Sequence, residues 1–241
     1  FYSDDGRVVG EYYKERRFIV PIEEIPDNVK NAFIAVEDTM FYDHFGVNPK
    51  AVVRAALENF RSGENSQGAS TITQQVARNF LLTREKSYSR KIREMILAFR
   101  IEGVFSKEEI LHLYLNEIYL GRGAYGVEAA ARTYFDKSVA GLTIPEAALL
   151  AGITQAPNNN PVNAPEIAHN RQRHAIGRME FAGFITPEEA AAARAEAVYI
   201  RTEWPNPNIG VTPYFTEHVR RMLVDMFGED SLYNDGWKVY T

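Results

Sequence analysis

Apolar residues recur along this chain with two different periods. Through residues 1–25 they fall in short extended runs, Val8-Val9-Gly10-Glu11-Tyr12 and then Phe18-Ile19-Val20-Pro21. β-Branched and aromatic residues between Gly and Pro breaks predict strand. After Pro26 the period becomes helical: Val29, Ala32, Phe33, Val36 and Met40 share a face, with Asp27 as the expected N-cap. A second helix is predicted over 48–61, on Val52, Val53, Ala56, Leu57 and Phe60, and the polar stretch 61–68 reads as a loop. Helical spacing returns over 71–80 (Ile72, Val76, Phe80) and 87–103 (Ile92, Ile96, Phe99). Ser106-Lys107-Glu108-Glu109 is a capping box opening a helix to about 119. Thr143 to Glu146 opens another, and Thr186-Pro187-Glu188-Glu189 is the strongest start signal in the chain. The Asn- and Pro-dense stretch 155–165 must be loop, and 204–208 reads as a linker to a last helix over 213–227.

The sum is a mainly α protein with short extended segments at its termini. Three parts are expected: an extended arm over 1–26, a helical domain over 27–200, and a connecting segment over 201–241. Composition agrees with this. At 241 residues, 45% hydrophobic and 24% charged, the chain is neither disordered nor fibrous. Its net charge of −5 argues against a general nucleic-acid binder. The lack of Cys excludes disulfides, thiolate metal sites and Cys nucleophiles. No window reaches 18 apolar residues, so no spanning helix is expected. The chain starts at Phe1 without a basic-then-apolar leader and ends on the alternating Gly236-Trp237-Lys238-Val239-Tyr240-Thr241. It therefore reads as a piece of a longer protein.

Several chemistry-bearing motifs are absent: Ser-x-x-Lys, Gly-x-Ser-x-Gly, the P-loop and His-Glu-x-x-His. Gly121, Gly123 and Gly126 form a Gly-x-Gly-x-x-Gly run, but it follows a helical pattern, so it reads as a helix end and tight turn. Three stretches remain. In Glu37-Asp38-Thr39-Met40-Phe41-Tyr42-Asp43-His44-Phe45-Gly46, two acids end an apolar helix, and Glu37, Phe41 and His44 share a face if that helix continues. A carboxylate flanked by aromatic rings loses hydration, which suits acid–base work; the plain alternative is a solvated acidic helix end. In the stretch from Gly68 to Asn79, Thr71, Gln74, Gln75 and Arg78 make a polar face suited to sugar hydroxyls and phosphate oxygens. Thr71 and Gln74 equally fit a purely local capping box. The third stretch gathers Arg84, Lys86, Arg90, Lys91 and Arg93 around Glu94 in an otherwise acidic chain, and Arg78 adds to the cluster. Such a cluster suits a small anion such as a diphosphate, although Arg90 and Glu94 also fit a simple i, i+4 surface pair.

In this order the motifs resemble the peptidoglycan glycosyltransferases, glycosyltransferase family 51. They are Glu37-Asp38-x-x-Phe41-x-x-His44-x-Gly46, Gly68-x-Ser70-Thr71-Ile72-Thr73-Gln74-Gln75, Arg90-Lys91-x-x-Glu94 and Leu113-Tyr114-Leu115-Asn116. Gly121-x-Gly123-x-Tyr125-Gly126-Val127-Glu128-Ala129-Ala130, Ala151-Gly152 and Ala156-Pro157 continue the match. Together they span roughly 30–165. The flanks are similar to those of this domain in class A penicillin-binding proteins, where a membrane helix precedes it and a transpeptidase domain follows.

The resemblance implies a lysozyme-like, mainly helical fold with a smaller membrane-facing jaw. It implies that lipid II is polymerised into β-1,4-linked strands with loss of undecaprenyl diphosphate, and that the phosphoglycolipid moenomycin inhibits. By motif match Glu37 is the general base and Glu94 the second carboxylate. Asp38, Phe41, His44, Ser70, Thr71, Thr73, Gln74, Gln75, Arg78, Lys86, Arg90, Lys91 and Asn116 are the expected substrate-binding set. The family usually carries Lys where Arg78 stands, often Arg where Lys86 stands, and often Glu where His112 stands. A divalent metal, Mg or Mn, is an implied cofactor whose ligands the sequence does not assign. The implied partners are lipid II, the growing glycan strand, the membrane surface and a transpeptidase domain. The implied place is the outer, periplasmic face of the bacterial cytoplasmic membrane, with the anchoring helix outside this chain. The rival reading is a lysozyme-like or lytic enzyme that cleaves glycan, which would also use two carboxylates but has no need of cations around the second.

Overall fold

Helix dominates the computed structural model, which describes residues 1–7, 16–49, 70–81, 88–202, 213–234 and 237–240. The expected helix over 48–61, the loop over 61–68, the extended run over 8–12, the linker over 204–208 and Lys86 lie largely or wholly outside the described residues. Two compact units divide the chain. One is Arg17–Ile200, and the other combines Phe1–Arg16 with Arg201–Thr241.

The larger unit starts with a 3-10 turn at Ile22–Glu24 and then α1 (Asp27–Glu37). Pro26 is the N-cap of α1, one residue before the expected Asp27. Asp27 lies in the first turn, where a carboxylate meets the positive end of the helix. There follow α2 (Ile72–Leu81), α3 (Tyr88–Glu102), α4 (Lys107–Glu117), α5 (Val127–Phe135), α6 (Ile144–Gly152), α7 (Pro165–Phe181) and α8 (Pro187–Ala195). Three of the starts are capping boxes, Ser106 with Glu109, Thr143 with Glu146 and Thr186 with Glu189. At Ser106 and Thr186 both bonds form and tie two otherwise orphaned N–H groups; at Thr143 only the bond from its own N–H to the Glu146 carboxylate forms.

The core is built around α6. Every residue from Pro145 to Ala151 is buried, as expected of a helix apolar on all sides. It packs against α1 and α7. A Cβ on Gly152 would come within 2.9 Å of the Arg171 backbone, so glycine permits the close approach of α6 to α7. Phe33 of α1 and Tyr114 of α4 meet edge to face with centroids 6.2 Å apart. The sequence pattern did not announce α5 or α7. The buried face of α7 is Ala168, Gln172, Ala175, Ile176 and Met179, too small and too polar to stand out.

Strand among the described residues is limited to β1 (Arg16–Arg17) and β2 (Ala124–Tyr125), which pair. Gly121, Gly123 and Gly126 near β2 have φ of 88°, 74° and 81°, so the glycine run serves a turn. In the smaller unit, α9 (Pro213–Phe227) has the expected bounds and α10 (Glu229–Asn234) follows. Tyr2 and Tyr240 form a parallel bridge, with their rings stacked at 5.2 Å. No helix among the described residues is long and apolar enough to cross a membrane.

Candidate active site

Glu37 is the last residue of α1, and the backbone leaves the helix at Asp38 (φ −159°, ψ 73°). The helical face expected to carry Glu37, Phe41 and His44 together therefore ends at Glu37. The reason is Asp38 itself. Its buried carboxylate lies 2.8 Å from His44 Nε2, and the Ile72 N–H donates to it at 3.2 Å. The side chain thus turns the chain back and holds the first turn of α2. Phe41 is fully buried, with the Lys107 ammonium 4.5 Å above its ring. Lys107 also donates to the His44 carbonyl at 2.7 Å and to Glu102 at 2.6 Å, and Thr73 donates to Glu102 at 2.6 Å. Thr71 donates to the Gly46 carbonyl at 2.6 Å. Thr71 and Gln74 make the reciprocal capping bonds, at 3.0 and 3.1 Å. Gly46 has φ 79°, and a Cβ there would meet the Ala98 backbone at 2.9 Å, so this turn lies directly on α3.

Asp38, Phe41, His44, Thr71, Thr73 and Gln74 thus form one buried frame between the turn after α1 and the start of α2. What the frame presents is a different set. Gln75 Nε2 donates to Glu37 Oε2 at 2.6 Å, and the Thr154 hydroxyl meets Glu37 Oε1. Among the described residues Glu37 has no ion-pair partner. Lys91 donates to Glu94 Oε1 at 2.6 Å and to Ser70 Oγ at 2.7 Å. The Glu94 side chain is 2% exposed while that of Lys91 is 43% exposed, so a buried carboxylate holds an ammonium that still faces solvent. Ser70 and Gln75, five positions apart, therefore touch the cationic pair and the lone carboxylate respectively.

Arg78 follows one turn after Gln75 on α2 and is half-buried. The Tyr114 phenol is wholly buried, and burial pushes its pKa well above the ordinary range. The charges of Glu37 and Asp38 push the same way, and that of Arg78 opposes them. Arg178 of α7 donates to the Ala35 carbonyl at 3.1 Å and to Thr39 at 2.5 Å, a cation at the carbonyl end of α1.

Asn116 does not join this group. Its amide exchanges hydrogen bonds with the Val20 backbone at 2.9 and 3.1 Å and donates to the His112 carbonyl at 3.0 Å. It ties the segment before α1 to α4. Arg90 is half-buried on α3, one position before Lys91. Among the described residues no three His, Cys, Asp or Glu side chains stand together as ligands for a divalent ion. No step below is routed through one. The sequence reading missed Thr154, Arg178 and Tyr114 as site neighbours. Tyr114 and Thr154 lie inside the matched stretches but carry no charge pattern, and Arg178 sits on the unannounced α7.

A family model described as Transglycosylase matches residues 5–180. Penicillin-binding protein 1A of Escherichia coli (strain K12) is 46% identical over 242 residues, covering 100% of this chain and 28% of that protein. Penicillin-binding protein 1A of Aquifex aeolicus (strain VF5) is 45% identical over 241 residues, covering 100% of this chain and 33% of that protein. A crystal structure of penicillin-binding protein 1A from Haemophilus influenzae aligns with 100% of this chain and 26% of its own, at a TM-score of 0.58 and 28% identity. The chain thus spans a third or less of the length of these relatives.

Proposed function

This chain belongs to the transglycosylase family, and from that premise we propose that it is a peptidoglycan glycosyltransferase. It polymerises lipid II into β-1,4-linked glycan strands, inverts the anomeric carbon and releases undecaprenyl diphosphate. The observation that carries this reading is the contrast between the two carboxylates. Glu37 is met by neutral donors, Gln75 and Thr154, whereas Glu94 is ion-paired to Lys91. Two carboxylates in opposite settings take separate roles.

The acceptor 4-hydroxyl holds its proton far above neutral pH, so a base must take that proton during attack. Glu37 takes it. The oxygen's electron pair then forms the bond to the anomeric carbon from the face opposite the diphosphate. The old carbon–oxygen bond breaks, and its electron pair leaves with the diphosphate. Charge grows there, and Lys91, Arg78 and Lys86 are the cations offered to it. Each preorganised group of this kind typically contributes about 3 kcal/mol to the barrier. Glu94 keeps the Lys91 ammonium in place beside Ser70. A glycan-cleaving enzyme would use two carboxylates but needs no ammonium fixed to the second, so the Lys91–Glu94 pair favours synthesis over lysis.

This reading locates the domain at the outer, periplasmic face of the cytoplasmic membrane, anchored by a helix outside this chain and followed by a transpeptidase domain. The greater length of the relatives supports a larger protein of that kind. Contact of a small jaw with the bilayer has support in exposed apolar side chains. Ile92, Ile96 and Phe99 follow one another at i, i+4 and i+7 on α3, Phe45 stacks on Phe99 at 6.3 Å, and Val104 and Phe105 come next. A contiguous exposed apolar patch marks an interaction surface.

Incubation with lipid II and, separately, with finished peptidoglycan tests the proposal. Polymer from the first and no cleavage of the second is the expected result, with Glu37→Gln inactive yet folded and still binding moenomycin. Cleavage of peptidoglycan without polymer would establish the lytic alternative. A Glu37→Gln rate within about tenfold of the parent, only ~1.4 kcal/mol in barrier, would make Glu94 the first alternative base.

A further inference from the structure

Thr154 stands in the turn after α6, 117 positions from Glu37, and its hydroxyl reaches Glu37 Oε1. The same oxygen lies 2.9 Å from the Ala151 carbonyl. A threonine hydroxyl owns one proton and two acceptor sites, so it donates to only one of these neighbours at a time. The Ala151 carbonyl only accepts. Glu37 Oε1 accepts when the carboxylate is ionised and donates when it carries a proton there. The two contacts are therefore alternatives chosen by the protonation state of Glu37. With Glu37 ionised, the Thr154 proton points at Oε1. With the proton on Oε1, the acid donates to Thr154 Oγ1, and the Thr154 proton turns to Ala151.

We propose that Thr154 is the positioning residue of the catalytic base, keeping Glu37 Oε1 hydrogen-bonded both before and after proton transfer. The proposal rests on the reading of Glu37 as base. Gln75 fixes the other oxygen through an N–H that donates, a bond suited to the ionised state. Thr154 complements it with a group that reverses its role without moving its oxygen. The support behind Thr154 is stiff. Its side chain is β-branched and so restricted at χ1, and Ala151 belongs to the fully buried run of α6. A base held in one place through both states needs little reorganisation as the proton arrives. The plain alternative is that Thr154 merely caps the Ala151 carbonyl.

The test compares Thr154→Val, which keeps the shape and removes the hydroxyl, with Thr154→Ser, which keeps the hydroxyl. Steady-state polymerisation of lipid II in detergent micelles is one readout. Thr154→Val is expected to lower kcat roughly tenfold, about 1.4 kcal/mol, with KM nearly unchanged, and Thr154→Ser to restore most of it. The second readout needs no activity: the infrared carboxylate band that vanishes in Glu37→Gln should shift in Thr154→Val and return in Thr154→Ser. A Thr154→Val enzyme with parental kcat and an unmoved Glu37 band would overturn the proposal, and so would a lowered melting temperature with both unchanged. Failure of the parent chain to polymerise lipid II would instead overturn the functional reading, while the band shift would still report on the contact.

Discussion

Gln75 of α2 and Glu37 at the end of α1 are joined by a 2.6 Å hydrogen bond in which the amide donates. The bond orients the carboxylate while leaving it uncharged neighbours on both oxygens. A hydrogen bond to a charged group is worth about 1.5–3 kcal/mol. Gln75→Leu is therefore expected to lower polymerisation roughly 10- to 100-fold, with the melting temperature little changed. Gln75→Glu, which sets a second carboxylate against the first, should lose more. Single-turnover rates with lipid II check both.

Lys91 and Glu94 are expected to behave as a unit. Lys91→Ala leaves Glu94 buried without its counterion, which costs stability as well as donor use. Breaking a buried pair typically costs ~3–5 kcal/mol, and the exposure of Lys91 puts the expected cost below that range. Adding Glu94→Gln should recover part of the stability and none of the polymerisation. Urea unfolding alongside the polymer assay separates the two effects, and a Lys91→Ala enzyme with normal moenomycin affinity would contradict the phosphate role.

Asp38 stands beside Glu37 in sequence, and its hydrogen bonds lie within the buried frame. Its carboxylate holds both His44 and the start of α2. Asp38→Ala is expected to destabilise the fold by about 3 kcal/mol, seen as an earlier urea midpoint. Any rate lost should track the unfolded fraction. A stable Asp38→Ala enzyme with an abolished rate would instead assign Asp38 to the substrate.

Tyr42 donates to Glu108 at 2.9 Å. Burial, and then that bond and its charge, push the phenol up to about 12 from an ordinary 10.0. A pKa raised on folding means the folded state favours the neutral phenol. The contribution is complete below pH 10 and disappears as the pH rises toward 12. Alkaline unfolding of Tyr42→Phe should therefore differ from the parent at neutral pH and converge with it above about pH 12.

The exposed row on α3 gives a fifth test. Ile92→Glu with Ile96→Glu is expected to reduce co-sedimentation with anionic liposomes while sparing activity on lipid II in detergent. Unchanged co-sedimentation would remove α3 from the membrane face.

The sequence showed α1, α2, α3, α4, α6, α8 and α9 because each has a cap signal, a strong apolar period, or both. It hid α5 and α7, whose buried faces mix alanine with polar residues such as Glu128, Thr133 and Gln172. It also grouped Asp38, His44, Thr71 and Gln74 with Gln75 in one substrate-binding set, since residue type alone does not say whether a polar group faces inward. The structure separates them by hydrogen-bond partner: Asp38 and Gln74 spend their hydrogen bonds inside the frame, and Gln75 spends its bond on Glu37. For Thr71 and Gln74 the local capping alternative is what the structure contains. Thr154 and Arg178 reach the end of α1 from more than a hundred positions away, a distance at which no spacing rule operates.

The five-position interval between Ser70 and Gln75 acts as a ruler with no slack. A helix turns about 100° per residue. Removing or adding one residue between them would swing Gln75 to another side of α2 while Ser70 stayed with Lys91. Substitutions along this interval can be graded in their effects, but a change of length cannot. Random insertion and deletion libraries of this gene should therefore return no active clone altered in length between these two positions, even where single replacements there survive.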